Sequence, residues 1–334
     1  MYINRIWWIH MYSVLFICAI ISGTSNCIAS DITGAEVFGS IKNREQFAKS
    51  DISKTAIFKI LTNASTSDPN QGRVLKDCAV TWEKNNIWMK MVYNYLQDPV
   101  YVPPGSMSYG YRPISYDKDK RLLVWRSLEA YIVSTPEKTE ILDRLQLLRV
   151  DPNGAIEKSA DIHITKHVFP ANDQYDGNYD FQQFLLAAGL CFSDYIDANN
   201  IELVKTSDGN RIEINSRGTF GKNSKGTWKS TVDPDSDFFV REASFTGEGF
   251  NKPSIKMSTS DIVKKDGLAY AREGHIVLGG DSNPIIRDYV DIDISVINNQ
   301  ELRQEVNQHM EAPLPIGSDI IDFKGGKPTV TPIK

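Results

Sequence analysis

Residues 226–245 read GTWKSTVDPDSDFFVREASF, and this stretch decides the fold class. Two runs of large and β-branched side chains flank Asp233, Pro234, Asp235 and Ser236, the chemistry of a tight turn between antiparallel strands. In the second strand Phe239, Arg241, Ala243 and Phe245 are expected on one side, with Phe238, Val240, Glu242 and Ser244 on the other. Aromatic rings then stand on both faces. One face meets a core, and the other a second apolar layer or a cavity.

The same alternation runs outward from this hairpin. Upstream, residues 201–205 and 211–215 pair around Ser207, Asp208, Gly209 and Asn210. Downstream, strands are expected at 254–263, 268–271, 275–278 and 289–297. In the last, Val290, Ile292, Ile294 and Val296 alternate with Asp291, Asp293 and Ser295, which makes it half-buried with a wet face. In the first half of the chain, strands are expected at 56–61, 121–125, 130–133, 144–150 and 162–169. The run 79–95 turns at 84–86, between Trp82 and Trp88, and Ile87, Met89, Met91, Tyr93 and Tyr95 give it one apolar face. Pro103 and Pro104 make 97–119 a Tyr- and Pro-rich loop. One helix is expected at 179–196, because Phe181, Phe184, Leu185, Ala188 and Phe192 recur at helical spacing, and its stripe must lie on the sheet. A short apolar run at 320–323 precedes a tail, 324–334, expected to fray.

The chain has 334 residues, 41% of them hydrophobic and 24% charged, the composition of a folded globular protein. A net charge of −5 with no basic run argues against nucleic-acid binding. At the amino terminus Arg5 precedes an apolar stretch at 12–21 and then SGTSNCIAS, the order of a signal peptide cleaved after Ala29. Cleavage removes only the charge of Arg5 and leaves −6. An uncleaved anchor over 6–21 is the competing reading. Thr24, Ser25 and Asn26 do not make a lipobox before Cys27. Cys78 and Cys191 remain in the mature chain, either as one disulfide or as two buried thiols.

No motif speaks for chemistry. Asp233, Asp235 and Asp237 open like a calcium loop, but Phe238 stands where its glycine belongs and no glutamate closes it. His163 and His167 lie on an expected strand, where four residues span about 13 Å, too far for one ion. The run GKNSKGT at 221–227 lacks the ending of a phosphate loop and precedes a strand, and neither Gly-x-Ser-x-Gly nor His-Glu-x-x-His occurs. Neither His275 nor His309 has a recognisable partner spacing, and Asn63-Ala64-Ser65 is read as a chance glycosylation match. No catalytic residue, metal or cofactor is expected.

The stretch 226–245, the hairpin before it and the later runs KDGLAYAREGHIVLGG, YVDIDISVINN and APLPIGSDIID together carry a resemblance. Over residues 179–322 the chain resembles the LolA/LolB-like superfamily of exported lipoprotein carriers, and within it uncharacterised secreted proteins of planctomycete type. The resemblance implies a mainly β fold with one or few helices: a curved antiparallel sheet forming an incomplete, half-open β-barrel wrapped around helix. It also implies an apolar concave face that accepts acyl chains. The domain layout is then a signal peptide at 1–29, a single LolA-like β domain at 30–323 and a flexible tail.

The expected function is an exported, non-enzymatic binding protein of the periplasm, cell envelope or exterior of a Gram-negative-type bacterium. Its partner is a lipid or acylated protein, or a protein of the cell envelope. Candidate lining residues are Trp88, Met89, Met91, Tyr93, Phe184, Phe239 and Phe245. Two other readings stay open: an envelope interaction protein whose barrel is fully packed, and a hydrolase with a site assembled from distant Asp, His and Tyr residues.

Overall fold

The structure, a computed structural model, describes residues 32–63, 73–104, 115–170, 179–205, 211–220, 224–279, 284–323 and 328–334. The expected signal peptide, the hairpin turn at 207–210, the centre of the loop at 105–114, and Ala64 and Ser65 lie outside them.

The strands are β1 (Lys54–Asn63), β2 (Arg73–Glu83), β3 (Asn86–Tyr95), β4 (Ser115–Tyr116), β5 (Leu122–Ser134), β6 (Lys138–Val150), β7 (Ile156–Pro170) and β8 (Ile196–Lys205). They continue as β9 (Ile212–Phe220), β10 (Ser224–Asp233), β11 (Phe239–Gly247), β12 (Ile255–Lys265), β13 (Leu268–Leu278), β14 (Ile285–Ser295), β15 (Asp319–Asp322) and β16 (Thr329–Pro332). All belong to one sheet, ordered β16-β15-β7-β6-β5-β3-β2-β1-β14-β13-β12-β11-β10-β9-β8, with β4 beside β5. Its two ends, β16 and β8, do not pair with each other. The sheet is therefore a curved, unclosed wall, and hairpins between sequence neighbours account for most of it.

Three helices pack on this wall. α1 (Gly34–Ala48) starts at a capping box: Glu36 N donates to Thr33 Oγ1 at 3.3 Å, and Thr33 N donates to Glu36 Oε2 at 2.7 Å. α2 (Tyr179–Ala187) stops where Gly189 takes φ +73°, a conformation that favours glycine. A Cβ at Gly189 would also lie 2.3 Å from the Phe239 ring. α3 (Gln300–Glu311) is capped by Asn299, whose Oδ1 accepts from Leu302 N at 3.0 Å, and it buries Leu302, Val306 and Met310 one turn apart.

The helices divide between the two faces of the sheet. α1 and α2 enter the concave side, where Val37, Ile41, Phe181 and Phe184 join Phe58, Trp82, Met89, Trp228, Phe245, Tyr289 and others in one core. α3 lies on the convex side over Tyr131 and Leu142. Trp228 anchors the decisive hairpin: it is fully buried, 5.2 Å from the Phe245 ring and 5.4 Å from Phe192, and its Nε1 donates to Thr219 O.

Several expectations change in detail. The helix expected at 179–196 covers only α2 and a following 3-10 turn at Phe192–Asp194, and the structure adds α1 and α3 to the one helix expected. The runs at 121–125 and 130–133 are one strand with a register shift between Ser127 and Glu129, and β13 unites 268–271 with 275–278. In the decisive hairpin a shift between Thr231 and Val232 breaks the alternation. Phe239 and Val240 are both fully buried there, and Arg241 turns to the Asp233 carboxylate at 2.6 Å. In β14 a bulge at Asp291, φ +55°, places Tyr289 in the core with Ile292 and Ile294 in place of Val290. The tail read as fraying carries β16, paired with β15.

Candidate functional site

Residues that pair across an antiparallel ladder share a face of the sheet. One row runs Met91, Ala130, Asp143, Thr165, Asp319 across β3, β5, β6, β7 and β15. The next runs Met89, Ile132, Ile141, His167, Ile321. Met89 and Met91 belong to the concave core, so both rows lie on the concave face.

Helices cover this face unevenly. α1 and α2 lean on β8, β12 and β13, and among the described residues neither makes more than slight contact with β6 or β7. Past Ala130 and Ile132, which are still buried, no helix among the described residues packs closely on the concave face. This uncovered strip is partly open to solvent, although Thr165 and Phe169 on it are buried. Ile141, Leu145 and Leu147 of β6 are half-buried, and Trp125, paired with Leu147, is 48% exposed. His163 stands 5.2 Å from the Trp125 ring, and Phe169 stacks on Phe323 at 4.4 Å. Large apolar groups left in water on a concave surface mark a binding face.

The strip carries a few polar groups. His163 Nε2 lies 3.2 Å from Asp319 Oδ2, and His167 Nε2 lies 3.7 Å from Asp143 Oδ2. Burial pushes the His167 pKa below its ordinary 6.5, so its ring is neutral at pH 7. At the border with the helices, Asp180 of α2 sits between Lys76 Nζ at 2.9 Å and Arg287 Nη1 at 2.6 Å. Burial raises the Asp180 pKa, but Lys76 and Arg287 outweigh it and hold the carboxyl well below the usual range. Arg287 and Tyr289 also donate to Gln183 Oε1, at 2.8 Å and 3.3 Å. This triad pins the start of α2 to β2 and β14.

The seven candidate lining residues do not form one surface. Trp88 is on the convex side, because it neighbours Met89 in a strand where side chains alternate. It donates from Nε1 to Asn307 Oδ1 of α3 at 3.1 Å, under the Arg303 guanidinium at 4.3 Å. Met89, Phe239 and Phe245 face the helices, and Phe184 faces the sheet from α2, all with at most 1% exposure and Met91 with 2%, so they have no surface to offer while the helices are seated. Tyr93 is half-buried at the margin of the strip, with Lys76 Nζ 5.1 Å from its ring centre, and burial raises its phenol pKa.

The other sequence features resolve structurally. Asp233 accepts from Asp235 N at 3.1 Å and from Ser236 Oγ at 3.0 Å, which closes the hairpin turn. Among the described residues no cluster of three His, Cys, Asp or Glu side chains is arranged to hold a metal ion. Cys78 and Cys191 are separate, buried, free thiols. His275 pairs across strands with Asp288 at 2.6 Å, and His309 stacks on Tyr131 at 4.0 Å.

No protein-family model matches this chain, and no curated protein sequence matches it. Solved structures do. The chain is similar to LolA-superfamily structures. A LolA superfamily protein from Nitrosomonas europaea is 11% identical, with a TM-score of 0.38 over 81% of this chain and 96% of that one. An outer membrane lipoprotein-sorting protein domain from Vibrio parahaemolyticus is 6% identical, with a TM-score of 0.39 over 82% and 99%. A DUF1329 family protein from Desulfovibrio piger is 10% identical, with a TM-score of 0.39 over 80% and 95%. Overlaps of this size carry nothing about ligand or individual residues. No helix among the described residues is long and apolar enough to cross a membrane.

Proposed function

We propose that this chain is an exported, non-enzymatic binding protein that holds an apolar ligand, a lipid or the acyl chain of a lipoprotein, on the uncovered strip of its concave face. One observation carries the reading: Trp125, 48% exposed, continues through Leu147, Leu145 and Ile141 into the concave core. Removing such surface from water yields about 25 cal/mol per Å² before association costs are subtracted. The ligand would lie along β5, β6 and β7 and end at the margin of the strip beside Tyr93 and α2, and this placement revises the lining expected from sequence.

The test is to purify the chain from Ser30 onward and extract and weigh what co-purifies by native mass spectrometry. Trp125→Asp and Leu147→Asp, which place charge on the strip, are expected to lose bound lipid with the fold intact. Retention of lipid by both folded variants, or no lipid in the parent protein even after incubation with lipid vesicles, overturns the reading.

A further inference from the structure

The convex face holds a groove of about 490 Å³ between the sheet and the flank of α3. Its floor is Ile57, Ala79 and Val92, and Leu302 closes one side. Ile57 is 57% exposed there, a large apolar side chain pointing into open space from the middle of the sheet. The concave strip lies on the opposite face, so this is a separate site.

Charge at the rim is uneven. Five charged side chains line the groove: Lys59, Lys90, Asp77, Asp291 and Glu305. Lys59 is paired with Asp291 at 2.7 Å, and Lys90 with Glu305 at 2.5 Å. Asp77 accepts a hydrogen bond from the neutral Asn94 amide at 2.7 Å, and among the described residues no cation pairs with it within 4.0 Å. Lys59 also stands opposite Asp77 in the β1–β2 ladder and feels its charge, but two cations facing three acids leave the groove one net negative charge on an oily floor. The bulge at Asp291, whose φ is +55°, turns that end of the rim out of the regular ladder.

We propose that the groove binds a small apolar molecule bearing one positive charge, an aliphatic or aromatic ammonium, with its charge at Asp77 and its body over Ile57, Ala79, Val92 and Leu302. An anion would have to break Lys59 from Asp291 or Lys90 from Glu305, and then face Asp77 as well. A neutral molecule gains the floor but leaves the carboxylate unanswered.

Hexylammonium, hexanol and hexanoate share a body and differ in charge, so they serve as probes in titrations of the full chain followed by NMR at low salt. Hexylammonium is expected to saturate a site that perturbs Ile57 and Val92 methyl signals, with at least tenfold tighter binding than hexanoate. Asp77→Asn is expected to weaken hexylammonium at least tenfold while hexanol is unchanged. Lys59→Met, which removes a competing cation and frees Asp291, is expected to tighten hexylammonium several-fold, an outcome that general damage to the fold does not produce. Equal binding of all three probes, no effect of either variant, or no saturation by about 10 mM overturns the proposal. Ile57→Ser, which alters only an exposed side chain and keeps the backbone pairing of β1, provides a folded variant that should weaken hexylammonium and hexanol alike.

Discussion

The ring of Phe184 lies flat on that of Phe58, with centroids 4.2 Å apart and planes 10° from parallel. This contact joins α2 to the middle of the sheet, and Trp82 meets Phe184 edge-on at 6.0 Å. It fastens α2 over the part of the concave face that is core. Phe184→Ala should therefore cost about 3–5 kcal/mol of unfolding free energy. Urea titration measures it, and a loss under 1 kcal/mol would mean that α2 is loosely held.

The Asp180 triad gives a second expectation. The side chains of Asp180, Lys76 and Arg287 are 18%, 12% and 15% exposed, so removing the one anion leaves two cations in a mostly buried place. Asp180→Asn should destabilise by about 3–5 kcal/mol near neutral pH. The folded-state pKa is lowered from 3.8, so this contribution is complete above pH 3.8 and is lost as the pH falls below it. The gap between parent and variant should narrow in acid, and a gap independent of pH would remove the triad from the account.

Lys54 is fully buried, with Nζ donating to Ile52 O at 2.6 Å, Ser50 Oγ at 3.0 Å and Ser50 O at 3.2 Å. Burial brings its pKa from 10.5 down to about 8. The unfolded chain then binds more protons than the folded one between these values, so this group adds stability as the pH rises from 8 toward 10.5. Denaturation at pH 7.5 and pH 9.5 should show the rise in the parent protein and its loss in Lys54→Met.

Cys78 and Cys191 are 5% and 4% exposed, and burial pushes both thiol pKa values up. A chain beginning at Ser30 should show no reactive thiol toward a chromogenic disulfide when native, and two in denaturant. Fast labelling of either in the native state would mean that α2 or β2 opens readily.

A fifth contrast concerns the strip and the buried core. Trp125→Asp should change stability by no more than about 0.5 kcal/mol, as expected for an exposed position, while Phe239→Asp, aimed at Gly189 and Arg44, should unfold the protein. Thermal melts of the two variants separate ligand surface from core directly.

Two helices were also written in the sequence, although less loudly than the strands. Thr33 and Glu36 form a capping box, and Leu302, Val306 and Met310 recur every fourth residue after Asn299. α3 has only those three buried side chains among many polar ones, so its stripe is narrow and easily passed over beside the strong alternation of β14. The bulges at Asp291 and in β5 and β11 had no such sign, because a one-residue slip depends on what the neighbouring strand presents.

By itself the sequence determined the strands and hairpins, since side-chain alternation and Asp/Pro/Gly turns act over a few residues. The tertiary structure alone decided which part of the curved wall is filled. Met89 and Ile141 sit in one cross-strand row and carry similar side chains, yet the first is sealed and the second half-open. The difference is made by helices dozens of residues away in the chain, whose stripes settle on β8, β12 and β13 and leave the concave side of β6 without a helix packed on it. Burial of this kind is set by where distant elements dock, and no local pattern encodes it.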